Sequence, residues 1–155
     1  MGEEYLPKDA LMTAREADCP PRVAAIGCGY WGENFVRNFA ELGALAALCD
    51  PDRKAARQLA ERHHTRVAEF DEVLCDDDIV GVAIAPPAAL HAELASRAIE
   101  AGKHVFVEKP LALTVAEAEQ LCSLAEHRDR RLISSATTAT NRRSTTRSRT
   151  IRTTR

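Results

Sequence analysis

At 155 residues the chain is long enough for one domain with a real core, and its 45% hydrophobic and 28% charged content is that of a soluble globular domain. The formal charge of −2 conceals a division: residues 1–133 carry 15 Lys and Arg against 23 Asp and Glu, whereas residues 134–155 carry six Arg and no acid. No apolar run is long enough to span a membrane, and residues 1–21 are polar and acidic with no apolar stretch of the kind a secretion signal needs, so a cytoplasmic protein with a loose leader over 1–21 is expected.

In chain order, residues 22–26 predict a buried strand stopped by Gly27, and a helix follows over 31–42 with Phe35, Val36, Phe39 and Leu42 on one face. Residues 44–49 form a second apolar run. Asp50-Pro51 reads as a helix start, Asp as the cap and Pro at the first helical position, for a helix over 52–64. A short third strand at 66–68 and a helical turn or two at 71–75 come next. Residues 79–85 are nearly continuously apolar, as in a strand buried on both faces, and Pro86-Pro87 stops them. A helix over 88–101 ends at Gly102, and 104–107 is the fifth strand. Thr114 and Glu117 have the spacing of a capping box, opening a helix to about 126, and 131–134 is a sixth strand. Strands alternating with helices imply right-handed crossovers and a parallel sheet: a single-domain, Rossmann-type doubly wound α/β fold over 22–134. The expected strand order is 3-2-1-4-5-6, with the ligand at the switch point above strands one and four.

The chemistry gathers at strand ends. Gly27, Gly29 and Gly32 have Gly-x-Gly-x-x-Gly spacing between a strand and a helix, the setting of a dinucleotide fingerprint. Gly27 would make the tight turn, Gly29 would admit a pyrophosphate, and Gly32 would let the helix pack closely. Tyr30 and Trp31 fill the loop. Trp31 would cover a cofactor edge or pack against the sheet, and packing is the expected use. Asp50, 18 residues past Gly32, would accept the adenosine ribose hydroxyls and disfavour a 2′-phosphate, or would only cap the next helix. NAD is therefore the expected cofactor, with NADP admitted because Arg53 stands close by. Pro110 holds Lys109 out of the α region, so that Lys109 projects from the end of the fifth strand; the alternative is a surface Lys before a turn. His91, just past Pro86-Pro87, would face nicotinamide or substrate, or stand exposed in a first turn. The five cysteines (19, 28, 49, 75 and 122) lack Cys-x-x-Cys spacing and read as buried reduced thiols. The adjacent His63 and His64 have no ligand spacing, and no metal site is expected.

These residues resemble a known family. Gly27-x-Gly29-x-x-Gly32, Asp50, the stretch from Pro87 to His91, and Ala101-Gly102-Lys103-His104-Val105-Phe106-Val107-Glu108-Lys109-Pro110-Leu111-Ala112 are similar to the N-terminal half of the Gfo/Idh/MocA oxidoreductases. Tyr30-Trp31-Gly32 with Asn34, Arg37 and Asn38 looks most like the branch that oxidises C3 of nucleotide-linked sugar uronates. The resemblance implies NAD(P)-dependent hydride transfer at a sugar or cyclitol carbon. It implies that Lys109 moves or positions the hydroxyl proton, that Glu108 and Pro87 belong to the cofactor site, and that the Lys109–Pro110 peptide is cis. Pro86 stands where the family often has Thr or Asn. It further implies a second, α+β domain that holds the sugar and supplies an Asp/His pair, so this chain alone is expected to be inactive.

Other functions share parts of this pattern. A standalone NAD-binding module would share every cofactor residue. A methyltransferase would share a glycine loop and an acidic strand end, but not this glycine spacing or Glu108-Lys109-Pro110. Residues 135–155, rich in Thr and Arg, would bind phosphate non-specifically as a nucleic-acid arm; the acidic main domain opposes that, and no specific nucleic acid or membrane partner is expected. The segment has one large apolar residue, Ile151, and cannot build a core; it reads as out of frame relative to a longer enzyme, or as a solvated basic tail.

Overall fold

The computed structural model describes residues 20–135; the leader and the Thr/Arg segment from residue 136 lie outside them. Six strands, β1 (Val23–Ile26), β2 (Leu45–Cys49), β3 (Arg66–Val67), β4 (Gly81–Ile84), β5 (His104–Val107) and β6 (Leu132–Ser134), form one sheet in the order β3-β2-β1-β4-β5-β6. Each neighbouring pair is parallel. The helices are α1 (Tyr30–Glu41), α2 (Arg53–Arg62), α3 (Phe70–Cys75), α4 (His91–Glu100) and α5 (Val115–His127), with a 3-10 turn at Ala88–Leu90 before α4. The strand order is the doubly wound one that the alternation predicts.

Strand alternation divides the core into two layers. Ala24, Ile26, Val82, Ile84, Val105 and Val107 pack with Ala95, Ile99 and Leu121 of α4 and α5. Ala25 and Leu48 point the other way, onto Val36 of α1 and Leu59 and Ala60 of α2. Fully burying each large aliphatic side chain contributes about 1.5–3 kcal/mol. The small alanines of β1 and β2 let the helices approach closely. Register then fixes the site: Ile26 pairs with Ile84, and Ile84 with Val107, so the loops that follow β1, β4 and β5 leave the sheet side by side.

Local structure departs from expectation at definable points. The helix after β2 is capped by Asp52, whose Oδ1 accepts the Lys54 and Ala55 N–H groups at 3.0 Å each, and not by Asp50. Pro51 therefore lies before the cap, and the helix starts at Arg53. Leu42 is 67% exposed, because α1 ends at Glu41 and Leu42 turns outward; Phe35 and Phe106 meet edge to face instead at 5.1 Å. The capping box at Thr114 forms, with Glu117 N–H on the Thr114 hydroxyl and Thr114 N–H on the Glu117 carboxylate. Cys49 is buried and Cys28 half-buried, whereas Cys75 and Cys122 are exposed on short or amphipathic helices, contrary to the expectation of buried thiols throughout; these four are free. Among the described residues no helix is long and apolar enough to cross a membrane.

Candidate cofactor site

The glycine loop leaves β1 at Gly27, whose φ of +88° an L side chain rarely adopts; a Cβ there would also lie 2.6 Å from Pro86 N. The loop after β1 thus rests against the loop after β4. Gly32 is needed for a contact inside the loop itself: its Cβ would fall 1.8 Å from the Gly27 carbonyl oxygen. Gly29 is different in kind. A Cβ there would meet nothing within 4 Å, so the backbone at Gly29 borders open space. Gly29 is also the N-cap of α1 and offers no side chain to the first turn. The first N–H groups of α1 have no carbonyl within the helix, and the positive end of its dipole lies there. Open space, a missing Cβ and donor N–H groups fit a bound pyrophosphate.

Asp50 stands behind this loop. Its Oδ2 accepts the Cys28 N–H at 2.6 Å and its Oδ1 accepts the Asp52 N–H at 2.8 Å. A carboxylate accepts more than two hydrogen bonds, so lone pairs remain for ribose hydroxyls. The charge is felt locally. Burial, then Asp50, then Cys49 push the Cys28 thiol up to about 12, and burial followed by Asp50 raises Cys49. Arg53, in the first turn of α2, is ion-paired with Glu69, the N-cap residue of α3.

Tyr30 and Trp31 meet edge to face at 5.4 Å and are 81% and 54% exposed. Trp31 does not pack against the sheet as expected, because the N-terminus of α1 turns that position outward.

The loops after β4 and β5 are joined by His91. The ring is 2% exposed, with Nδ1 2.7 Å from the Pro110 carbonyl and Nε2 2.8 Å from the Pro86 carbonyl. A neutral ring donates to one of the two. Neither the exposed first-turn position nor an open face toward a ligand describes this histidine: both nitrogens are directed at backbone. Pro87, exposed, caps the 3-10 turn, with Leu90 N–H on its carbonyl at 2.9 Å. The Lys109–Pro110 peptide is cis. Lys109 is exposed, and its N–H donates to Ser135 Oγ at 3.2 Å. Ser135 Oγ in turn donates to Oε2 of the buried Glu108. Ser135 N–H also reaches the Val107 carbonyl at 3.0 Å, so the residue taken as the start of the tail belongs to the sheet edge. Sequence reasoning missed Ser135, Glu69 and the cap at Asp52. Nothing in the sequence ranked Asp52 above Asp50 as the cap, and a lone Ser 26 residues beyond Lys109 gave no signal.

Residues 21–136 match the family described as oxidoreductase, NAD-binding Rossmann fold, Gfo/Idh/MocA. A curated relative, glycosyl hydrolase family 109 protein 1 of Shewanella sp. (strain ANA-3), is 37% identical over 118 residues, covering 68% of this chain and 26% of its own. The chain thus spans about a quarter of the length of the curated relatives it matches. Among solved structures, GenD2 from gentamicin A biosynthesis, in complex with NAD, shares 34% identity at a TM-score of 0.71, over 74% of this chain and 34% of that one. KijD10, a 3-ketoreductase from Actinomadura kijaniata in complex with NADP and TDP-benzene, shares 32% identity at a TM-score of 0.70, over 74% and 37%.

Proposed function

Since the chain belongs to the Gfo/Idh/MocA oxidoreductase family and carries its NAD(P)-binding Rossmann domain, we propose that it supplies the cofactor half of a hydride transfer at a hydroxyl of a sugar, nucleotide sugar or cyclitol. The observation that carries the reading is the open space at Gly29, beside an α1 N-terminus without a side-chain cap and in front of an Asp50 already fixed to the loop.

When bound, the nicotinamide accepts or returns the hydride. The chain's own residues do the rest. The first-turn N–H groups of α1 hold the pyrophosphate, with Gly29 allowing close approach. Asp50 accepts the adenosine ribose hydroxyls, and the exposed Tyr30 and Trp31 flank the loop. Glu108, buried and bonded to Ser135, fixes the backbone from which Lys109 projects. Lys109 takes or positions the hydroxyl proton as the carbon is oxidised. His91 is a positioning residue: it lies between the Pro86 and Pro110 carbonyls and so sets the loops after β4 and β5 against each other.

The substrate is held by residues outside 21–136. The match covers 26% of one relative and 37% of another, whose names include a glycosyl hydrolase and a ketoreductase. Names of enzymes favour a catalytic role over a standalone binding module. Orientation of both reactants supplies about 7–11 kcal/mol of barrier lowering, which half a site forgoes. The cofactor-binding residues are therefore expected to bind NADH and, without the residues that hold the substrate, to reduce no NAD with UDP-sugar uronates, inositol or glucose. Absence of NADH binding by fluorescence titration would remove the reading. A robust turnover abolished by Lys109→Ala would show that no second half is needed.

A further inference from the structure

We propose that Glu69 biases the choice between NAD and NADP by holding the Arg53 guanidinium away from the adenosine ribose; this rests on the reading that Asp50 takes that ribose. Relatives are seen with either dinucleotide, so the choice is a property of each chain's own residues. Here Asp50 and Arg53 are three residues apart, at the end of β2 and the start of α2. An Arg in that position would pair bidentately with a 2′-phosphate and offset Asp50. In this structure it is committed elsewhere. β3 lies parallel to β2, pairing Ala47 with Arg66 and Leu48 with Val67, which brings the end of β3 and Glu69 beside the end of β2. There the Glu69 carboxylate pairs with the Arg53 guanidinium.

The surroundings reinforce the bias. Asp50, Arg53, Asp71 and Glu72 all act on the Cys49 thiol at the end of β2, so carboxylates outnumber the one guanidinium among them. Asp71 is itself paired with Arg97. Both members of the Arg53–Glu69 pair are about half exposed, at 47% and 60%. A pair so exposed shifts an equilibrium by at most about fivefold, so it is a bias and not a lock.

The experiment titrates NADH and NADPH into the full chain, in the parent and in Glu69→Gln, Arg53→Ala, Asp50→Ala and the Glu69→Gln/Arg53→Ala double variant. Glu69 is exposed, so the amide variant should fold as the parent does, which a urea curve verifies. Glu69→Gln is expected to tighten NADPH roughly two- to fivefold and to leave NADH within about twofold. Arg53→Ala alone should change NADPH little, because the guanidinium is already engaged, yet it should erase the gain in the double variant. An unchanged NADPH-to-NADH ratio in Glu69→Gln, or a gain that survives loss of Arg53, overturns the role of Glu69 while leaving the ribose reading intact. A parent that binds no NADH, or an Asp50→Ala variant that binds it equally well, overturns both.

Discussion

The Asp50 carboxylate reaches back across 22 residues of sequence to the glycine loop, where Oδ2 accepts the Cys28 N–H at 2.6 Å. The bond joins the end of β2 to the end of β1 and holds the loop in place before any ligand arrives. Asp50→Ala should therefore act twice. A hydrogen bond to a charged group contributes about 1.5–3 kcal/mol, so urea unfolding should report a loss of about 1–3 kcal/mol. NADH titration should show weaker binding by tenfold or more. Asp50→Asn retains one of the two acceptors, for the loop amide or the Asp52 amide, and should recover part of the stability but less of the affinity.

The second and third glycines of the loop separate binding from stability. Gly32→Ala puts a Cβ against a backbone carbonyl at 1.8 Å, and the loop or α1 must shift. Its unfolding midpoint should drop sharply. Gly29→Ala meets nothing within 4 Å and should unfold like the parent. Its Cβ nevertheless enters the space assigned to the pyrophosphate, so NADH affinity should fall by about tenfold or more, as for one lost charge-assisted contact.

His91→Leu leaves the Pro86 and Pro110 carbonyls without the ring and buries an apolar group between them. An unmade buried hydrogen bond costs about 1–3 kcal/mol, and chemical denaturation should show a loss in that range. If His91 instead served the ligand directly, the variant would lose NADH affinity with its unfolding curve unchanged.

Most of the sheet was legible because buried parallel strands read as short apolar runs closed by Gly, Pro or Asp. Alternation with helices gave the parallel sheet, and the strand order came with the Rossmann type that the glycine loop pointed to. What stayed hidden was the use of polar groups across long separations. Asp50 and Asp52 both suit a cap, and only three-dimensional placement shows that Asp52 takes the helix and frees Asp50 for the loop. For His91 the sequence left a ligand-facing and an exposed first-turn position equally open, because its spacing from Pro87 says nothing of the two carbonyls that the fold brings to its ring. Trp31 looked like a packing residue by its type, yet its place in the first turn of α1 faces outward. Ser135 acquires meaning only because β6 lies beside β5.

The thiols provide a pH test. Cys28 is pushed from 9.0 to about 12 by burial first and the Asp50 charge second. An unfolded chain ionises this thiol near its ordinary value while the folded chain does not, so deprotonation favours unfolding. The contribution is fully present below about pH 9 and is lost as the pH rises toward 12. Cys28→Ser should flatten the alkaline limb of the stability profile. At pH 8, iodoacetamide should modify the exposed Cys75 and Cys122 well before Cys28, as mass spectrometry of timed digests would show.

The central claim is that a dinucleotide lies across the ends of β1 and β2, with its pyrophosphate on the loop from Gly27 to Gly32. The most direct measurement is the amide spectrum of the nitrogen-15-labelled chain during titration with NADH. The account predicts that the largest shifts fall on residues 27–32 and on Asp50, saturating together with a single affinity. Shifts confined to another surface, such as the cleft between α4 and α5 lined by Ala92, Gln120 and Leu124, or an unchanged spectrum at saturating NADH, would contradict it.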